Sequence, residues 1–374
     1  MYQPVSYSEQ YTFFQKIRSF DFTLLFCIFL LGVISSFSMY STDGGELLYH
    51  SKSHILRFLI FFTMMIILSF LSIRFWHAIG YLFYIIVLGL LIWTSFYGVT
   101  SSGSQRWLNL YFLNLQPSEL MKIAIIICYA KLYHRSQIDN INQIKNLLIP
   151  ITILVLPILL VVSQPDLGTS ILIALSGIIV LWLAGINLKY FIYTFLTLVI
   201  STPFIISFLK PYQKLRILTF INPDRDPLGA GYQIIQSKIA VGSGGLTGKG
   251  FLKGTQSYLD FLPEKHTDFI FTLFSEEFGF YGSILLLILY AIIIFRVVRI
   301  GLISRSFFAR IFCFSFAFAI FLYVSINMSM VLGLLPIVGS PLPIMSYGGS
   351  SMLTTMIGFS IVMSAKINYN QNIS

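Results

Sequence analysis

Charge is scarce in this 374-residue chain: 10% of its residues are Asp, Glu, Lys or Arg, against roughly one quarter in a soluble globular domain. With 56% hydrophobic residues and a mean hydropathy of +0.83, that deficit excludes a soluble enzyme and indicates an integral membrane protein. Cysteine is nearly missing too. Cys27, Cys128 and Cys313 sit in apolar segments without C-x-x-C spacing, which excludes a disulfide framework or a cysteine zinc site and leaves them as packing residues. The first twenty or so residues have no apolar leader core, so the first span is expected to stay in the membrane. Heptads and fixed-period repeats are absent. The formal charge is +10, but nucleic-acid binding needs a clustered basic face, and here Lys and Arg are scattered through short loops.

Long apolar runs fill most of the sequence. They fall at roughly 22–40, 54–73, 78–98, 117–133, 148–163, 167–185, 189–209, 268–295, 309–330 and 350–366. At 1.5 Å per residue, runs of about 17 to 25 residues cross a hydrocarbon core of about 30 Å. The whole chain, 1–374, therefore reads as one domain: an all-α polytopic membrane protein of about ten transmembrane helices. Loops on the N-terminal side carry most of the cations, among them Lys16, Arg18, Arg74, Lys131, Arg135, Lys145, Arg296 and Lys366. The opposite short loops carry Lys52, Arg57 and Arg106. This asymmetry places both termini in the cytoplasm. One large extracytoplasmic loop, about 210–267, then separates helices 7 and 8, and long loops escape the charge rule. The uncharged 329–349 stretch, with Pro336, Pro341 and Pro343, is expected to line a cavity, because irregular backbone at membrane depth must be covered by protein or face water.

Several polar constellations interrupt the apolar pattern. Glu119 and Lys122 are three apart on a predicted helix, so they share a face. They serve either as a neutral pair that locks packing or as an intramembrane functional group. Gln164-Pro165-Asp166-Leu167-Gly168 forms a turn in which Asp166 either caps the next helix or holds the outer loop. The large loop carries Lys214, Arg216, Arg225 and Lys238, then Gly242-Ser243-Gly244-Gly245-Leu246-Thr247-Gly248-Lys249-Gly250. Closely spaced glycines beside cations are a means of cradling an anion with backbone amides. The run is not a P-loop: its spacing is one residue short and Gly250 replaces the hydroxyl residue. After Glu264-Lys265-His266-Thr267, Asp268 stands at the water end of an apolar run, with Thr272, Ser275 and Glu276 below it on nearly one face. Asp268 is either a helix cap or a reactive carboxylate.

These residues carry a resemblance. Gly231-Tyr232-Gln233, Gln236-Ser237-Lys238, Gly242-Ser243-Gly244-Gly245-Leu246, Gly254-Thr255-Gln256 and Leu262-Pro263-Glu264-Lys265-His266-Thr267-Asp268-Phe269 resemble the SEDS family of bacterial cell-wall synthesis. Gln105-Arg106-Trp107, Gln116-Pro117-Ser118-Glu119, Gln164-Pro165-Asp166 and Ser346-Tyr347-Gly348-Gly349-Ser350 extend the likeness over nearly the whole chain. Gly248-Lys249-Gly250-Phe251 with Gly254-Thr255-Gln256-Ser257 is nearer the RodA-type elongation members than the FtsW-type division members. The departure at Phe251, where many relatives carry Trp, alters nothing in this reading.

The resemblance implies a multi-pass protein of the bacterial cytoplasmic (inner) membrane. It implies a peptidoglycan glycosyltransferase that polymerises lipid II during elongation and rod-shape maintenance, in complex with a class B penicillin-binding protein. The family's catalytic carboxylate falls at Asp268, its buried pair at Glu119 and Lys122, and its turn carboxylate at Asp166. Asp268 is then the general base. Arg106, Lys214, Arg216, Lys238, Lys249, Lys265 and His266 are the candidates to hold the lipid-linked diphosphate. The sequence fixes no cofactor; a divalent cation, Mg²⁺ or Mn²⁺, bound by Asp268 and other loop carboxylates could share that role. Two competing readings are a lipid II flippase or transporter, for which intramembrane charges and broken spans are also suited, and a non-catalytic scaffold for the penicillin-binding protein. Polar residues gathered at the outer face favour chemistry on one side.

Overall fold

The computed structural model describes residues 12–101, 104–109, 114–134, 142–223, 229–255 and 264–373. Arg135, Arg225, Gln256, Ser257, Leu262 and Pro263 lie outside them. The chain is mostly helical. Helices α1 (Phe13–Arg18), α2 (Phe22–Thr42), α3 (Tyr49–Ser69) and α4 (Ile73–Tyr97) come first. Strands β1 (Val99–Ser101), β2 (Ser104–Asn109) and β3 (Asn114–Leu115) precede α5 (Pro117–Tyr133). Then follow α6 (Ile144–Ser163), α7 (Leu167–Leu183), α8 (Leu188–Phe208), α9 (Pro211–Ile221) and α10 (Ala230–Ser243). The C-terminal part is α11 (Ile270–Ile303), α12 (Phe307–Val331) and α13 (Gly349–Ile367). Among the described residues, seven helices are long and apolar enough to cross a membrane: α2, α3, α4, α6, α11, α12 and α13.

The structure amends the expected architecture in three places. It is not purely helical, because β1, β2 and β3 form an antiparallel sheet between α4 and α5. The large loop contains two helices, α9 and α10. The helix after it begins at Ile270, so Asp268 precedes that helix instead of lying within it.

Helix α5 is the axis of the bundle. Every residue from Pro117 to Ala130 is buried, and α4, α7, α12 and α13 surround it. A helix with no polar face has to be enclosed on all sides, and Pro117 at its first position starts it where no backbone donor is needed. The charged pair Glu119 and Lys122 is thereby carried into the interior. At the opposite end of the molecule Asp21 caps α2, accepting from the Leu24 amide at 2.9 Å, and also receives Arg296 Nε at 3.1 Å. This fork joins α2 to α11, and mutual burial of the charges is tolerable because each is paired.

The glycine-rich run has a different job from the one its sequence suggests. Helix α11 is broken at Gly279 (φ 65°, ψ −160°), and residues 244–250 insert into the break. The amides of Lys249 and Gly250 donate to the carbonyls of Glu276 and Glu277, at 3.0 Å each. In return the amides of Phe280 and Tyr281 donate to Gly245 and Leu246. Two amides of the run are therefore consumed in mending a helix ladder, a form of backbone satisfaction that a membrane interior demands, while those of Gly244, Gly245 and Gly248 donate to Ala240, Gly242 and Gly244. The approach is so close that a Cβ on Gly248 (φ +79°) would lie 2.0 Å from the Glu277 carbonyl oxygen.

Gly248→Ala is accordingly expected to lower the thermal midpoint of the detergent-solubilised protein, with backbone strain alone on the order of 1–3 kcal/mol. Gly242→Ala, whose Cβ would meet nothing within 4 Å, should leave it unchanged or raise it. Thermal unfolding of the two variants side by side checks the contrast.

Candidate active site

Asp268 sits in the turn 264–269 that leads into α11. The helix cap is Phe269, with no side chain bonded to the first amides, so Asp268 is not spent on capping. Its backbone carbonyl accepts from Asn327 Nδ2 of α12 at 2.9 Å, and the same nitrogen donates to the Ser340 carbonyl at 2.7 Å. One amide thus ties the turn to the irregular 332–348 segment. Side-chain Oδ2 faces that segment, 3.6 Å from where a Cβ on Gly339 would stand. Asp268 keeps part of its surface open. Protein crowds the rest, and this desolvation, with Glu264 adding to it, raises its carboxyl from the usual carboxylate range to about 7, against the opposing pull of Arg216.

The other sequence-predicted residues divide into two groups. Arg216, on α9, donates to the Ile337 carbonyl at 3.2 Å and brings its positive charge to Asp268. Asp166 caps α7 by accepting from the Thr169 amide at 3.2 Å. It also pairs with Arg106 of β2 at 3.3 Å and receives Gln116 Nε2 at 3.2 Å. Asp166 therefore caps α7 and ties it to β2. Glu119 and Lys122 pair at 2.6 Å, both buried, with the ammonium 4.4 Å from the Tyr323 ring centre. They line a cavity between α5 and α12 together with Tyr323, Pro343 and Thr354. Asp166 and Glu119 are near enough for their charges to act on Asp268, so these carboxylates and cations form one electrostatic neighbourhood.

Of the remaining candidates, Lys265 and His266 share the Asp268 turn and the others lie on other segments. Lys249 is bound at 2.6 Å by Glu276, which is fully buried, and Thr255 joins the two. Its charge is taken up by the mended helix break. Lys214 donates to the Ser207 carbonyl at 3.1 Å, Lys238 lies over Gly333, and Lys265 is half-buried within the turn. His266 stacks on His50 with ring centres 4.2 Å apart.

Three residues at this site were not singled out from the sequence. Asn327 positions Asp268. Its signal was present, as a lone amide within the apolar Val324–Val331 stretch, where polar side chains in a span usually bond another element. Glu277 receives Ser41 of α2 and the Leu252 amide. Ser350 accepts from the Gln116 amide at 2.8 Å and donates to the Asn114 carbonyl at 2.9 Å, joining two motifs far apart in the chain.

A family model described as cell cycle protein, covering FtsW, RodA and SpoVE, matches residues 18–371. The chain belongs to this family. It is 41% identical over 354 residues to the peptidoglycan glycosyltransferase MrdB of Escherichia coli K12, covering 94% of this chain and 95% of that one. It is 35% identical to a probable peptidoglycan glycosyltransferase FtsW of Buchnera aphidicola subsp. Baizongia pistaciae, over 93% of this chain and 94% of the relative. Among solved structures, it superposes with a TM-score of 0.81 and 28% identity on a chain of a peptidoglycan synthase complex described as coordinating polymerization and crosslinking, covering 94% and 99% of the two chains. The rod shape determining protein RodA of Thermus thermophilus shares the fold, with a TM-score of 0.72 at 23% identity over 94% and 98%. Family membership and its apolar helices make this a multi-pass membrane protein.

The buried Glu119–Lys122 pair gives a direct expectation. Glu119→Ala strands a buried ammonium, so it should reduce folded yield more than the double change Glu119→Ala with Lys122→Ala, the single loss being worth about 3–5 kcal/mol. Monodisperse yield by size-exclusion chromatography measures this, and equal damage from both would deny the coupling.

Proposed function

We propose that this chain is a peptidoglycan glycosyltransferase of the elongation type, which polymerises lipid II at the outer face of the bacterial inner membrane with Asp268 as general base. The observation that supports this reading best is the state of Asp268. Among the described residues no basic side chain pairs directly with it, it is part-open, and its proton affinity lies near neutral pH. A base with a pKa near the working pH combines a useful ionised fraction with real proton affinity.

In the topology that accompanies this function, ten helices cross the membrane: the seven long ones together with α5, α7 and α8. Both termini are cytoplasmic, and the β-sheet, α9, α10 and the Asp268 turn lie outside. The acceptor sugar loses its 4-hydroxyl proton to Asp268 as the oxygen attacks the anomeric carbon of the lipid-linked donor. The lipid diphosphate departs, and an α-linked donor gives a β-1,4 product by single displacement. Arg216 carries the leading role in steadying the developing negative charge, since it is the loop cation held beside Asp268. Lys214, Lys238, Lys265 and His266 bind further along the headgroup. Arg106 and Lys249 act mainly through their ion pairs with Asp166 and Glu276, one fixing the outer sheet and the other the helix break. A crosslinking class B penicillin-binding protein is the partner, a reading supported by the structural likeness to a synthase complex that joins polymerisation to crosslinking.

This assignment sets the shape of the pH profile. Asp268 works when ionised, so kcat/KM for lipid II polymerisation should fall as pH drops through about 7, the value to which desolvation raises it. Arg216 opposes that rise, so Arg216→Ala should move the acid limb to higher pH as well as lower the rate. Initial rates of polymer formation from labelled lipid II, measured with the partner present, provide the test. A limb that stays fixed in Arg216→Ala would separate the two residues, and a profile without an acid limb would remove Asp268 as base.

A further inference from the structure

Near the Asp268 turn, His266, already placed along the headgroup, meets two side chains outside the machinery just described. Asp43 follows the last residue of α2, His50 lies in the first turn of α3, and His266 is two residues before Asp268. One ligand atom from each lies within 4.8 Å of the other two. We propose that Asp43, His50 and His266 form a binding site for one divalent transition-metal ion of the zinc class, which clamps the segment carrying Asp268 to the turn between α2 and α3.

The chemistry of the donor set decides the class of ion. Two imidazoles and one carboxylate suit zinc and its neighbours, whereas Mg²⁺ and Ca²⁺ take oxygen ligands. This mixed nitrogen and oxygen set lies beside the Asp268 turn, with His266 two residues before Asp268. Asp43 Oδ1 lies 3.5 Å from His50 Nδ1, close to the separation of about 3.4 Å between ligands of a tetrahedral ion bound at about 2.0–2.1 Å.

Outer contacts hold Asp43 and His266 in place, as in established metal sites. Asp43 Oδ2 accepts from the Ser51 amide at 2.8 Å, leaving Oδ1 turned to His50. His266 Nδ1 meets the Thr42 hydroxyl at 2.9 Å, and its backbone carbonyl accepts from the Tyr347 amide at 2.8 Å. His50 lies stacked on the His266 face beside the Tyr347 edge, and because an imidazole ligates in its own plane, its ring turns out of that stack to share an ion with His266. The Asp43 carboxylate is itself buried, but the His50 ring beside it is exposed, which gives an ion a path in from solvent. Three protein ligands is the count of an open site, with a fourth position for water or an anionic oxygen.

The consequence is mechanical. His266 and Asp268 share one short turn, so a metal bound by His266 fixes that turn against two helix ends. The site stands on its own geometry and is read without substrate, so its outcome is independent of polymerisation. The full-length protein in detergent, stripped with chelator, is titrated with Zn²⁺ by calorimetry and with Co²⁺ by visible absorption. The expected result is about one equivalent of Zn²⁺, four-coordinate Co²⁺ bands, and a thermal midpoint that rises with metal. His50→Ala and Asp43→Asn should each weaken binding by at least about tenfold and lose the Co²⁺ bands. His77→Ala, whose ring packs against His134 and Phe308, should bind as the parent does. Parent protein that takes up no stoichiometric metal, or a His50→Ala variant with parental Co²⁺ bands, would overturn the proposal.

Discussion

Irregular backbone inside a membrane must find its hydrogen bonds within the protein, and the arrangement around Asp268 follows from that constraint. Two segments of this chain break the helical rule. Residues 244–250 enter the gap in α11 at Gly279, and residues 332–348 run without helix between α12 and α13. Each is paid in kind by specific partners: Glu276, Glu277, Phe280 and Tyr281 for the first, and Asn327, Arg216 and His266 for the second. The second set of partners meets the turn that carries Asp268. The carboxylate is fixed because the backbone near it has to be.

Charge follows a matching logic. The chain has few ionisable residues, and most of those inside it are matched: Glu119 with Lys122, Glu276 with Lys249, Asp21 with Arg296, Asp166 with Arg106. Against that background Asp268 differs, being crowded by protein, near Arg216 but not bonded to it, and shifted toward neutral pH. Paired charges build the scaffold. An acid whose proton is held near pH 7 is suited to exchange it.

Much of this was legible in sequence. Apolar run length located the helices, and the 329–349 stretch read correctly as irregular because three prolines in an uncharged run forbid a plain span. Glu119 and Lys122 were readable as a pair from their spacing alone. The glycine-rich run was not, because glycine permits close approach to any partner, and only three dimensions show that the partner is the broken helix α11 and not an anion. The β-sheet between α4 and α5 was hidden by its shortness. Asp43 and His50 were invisible because their meeting with His266 spans more than two hundred positions, a pairing that no local pattern encodes. Asn327 was the missed signal closest to hand.

The central claim is that Asp268 performs the chemistry while the surrounding bonds only hold it. The most direct measurement is glycan-strand formation from labelled lipid II by purified Asp268→Asn protein with its partner. The account predicts loss of polymer by about 10²- to 10⁴-fold, the usual worth of a general base, with parental folding, membrane insertion and partner binding. Polymer at the parental level from a well-folded Asp268→Asn protein would contradict it.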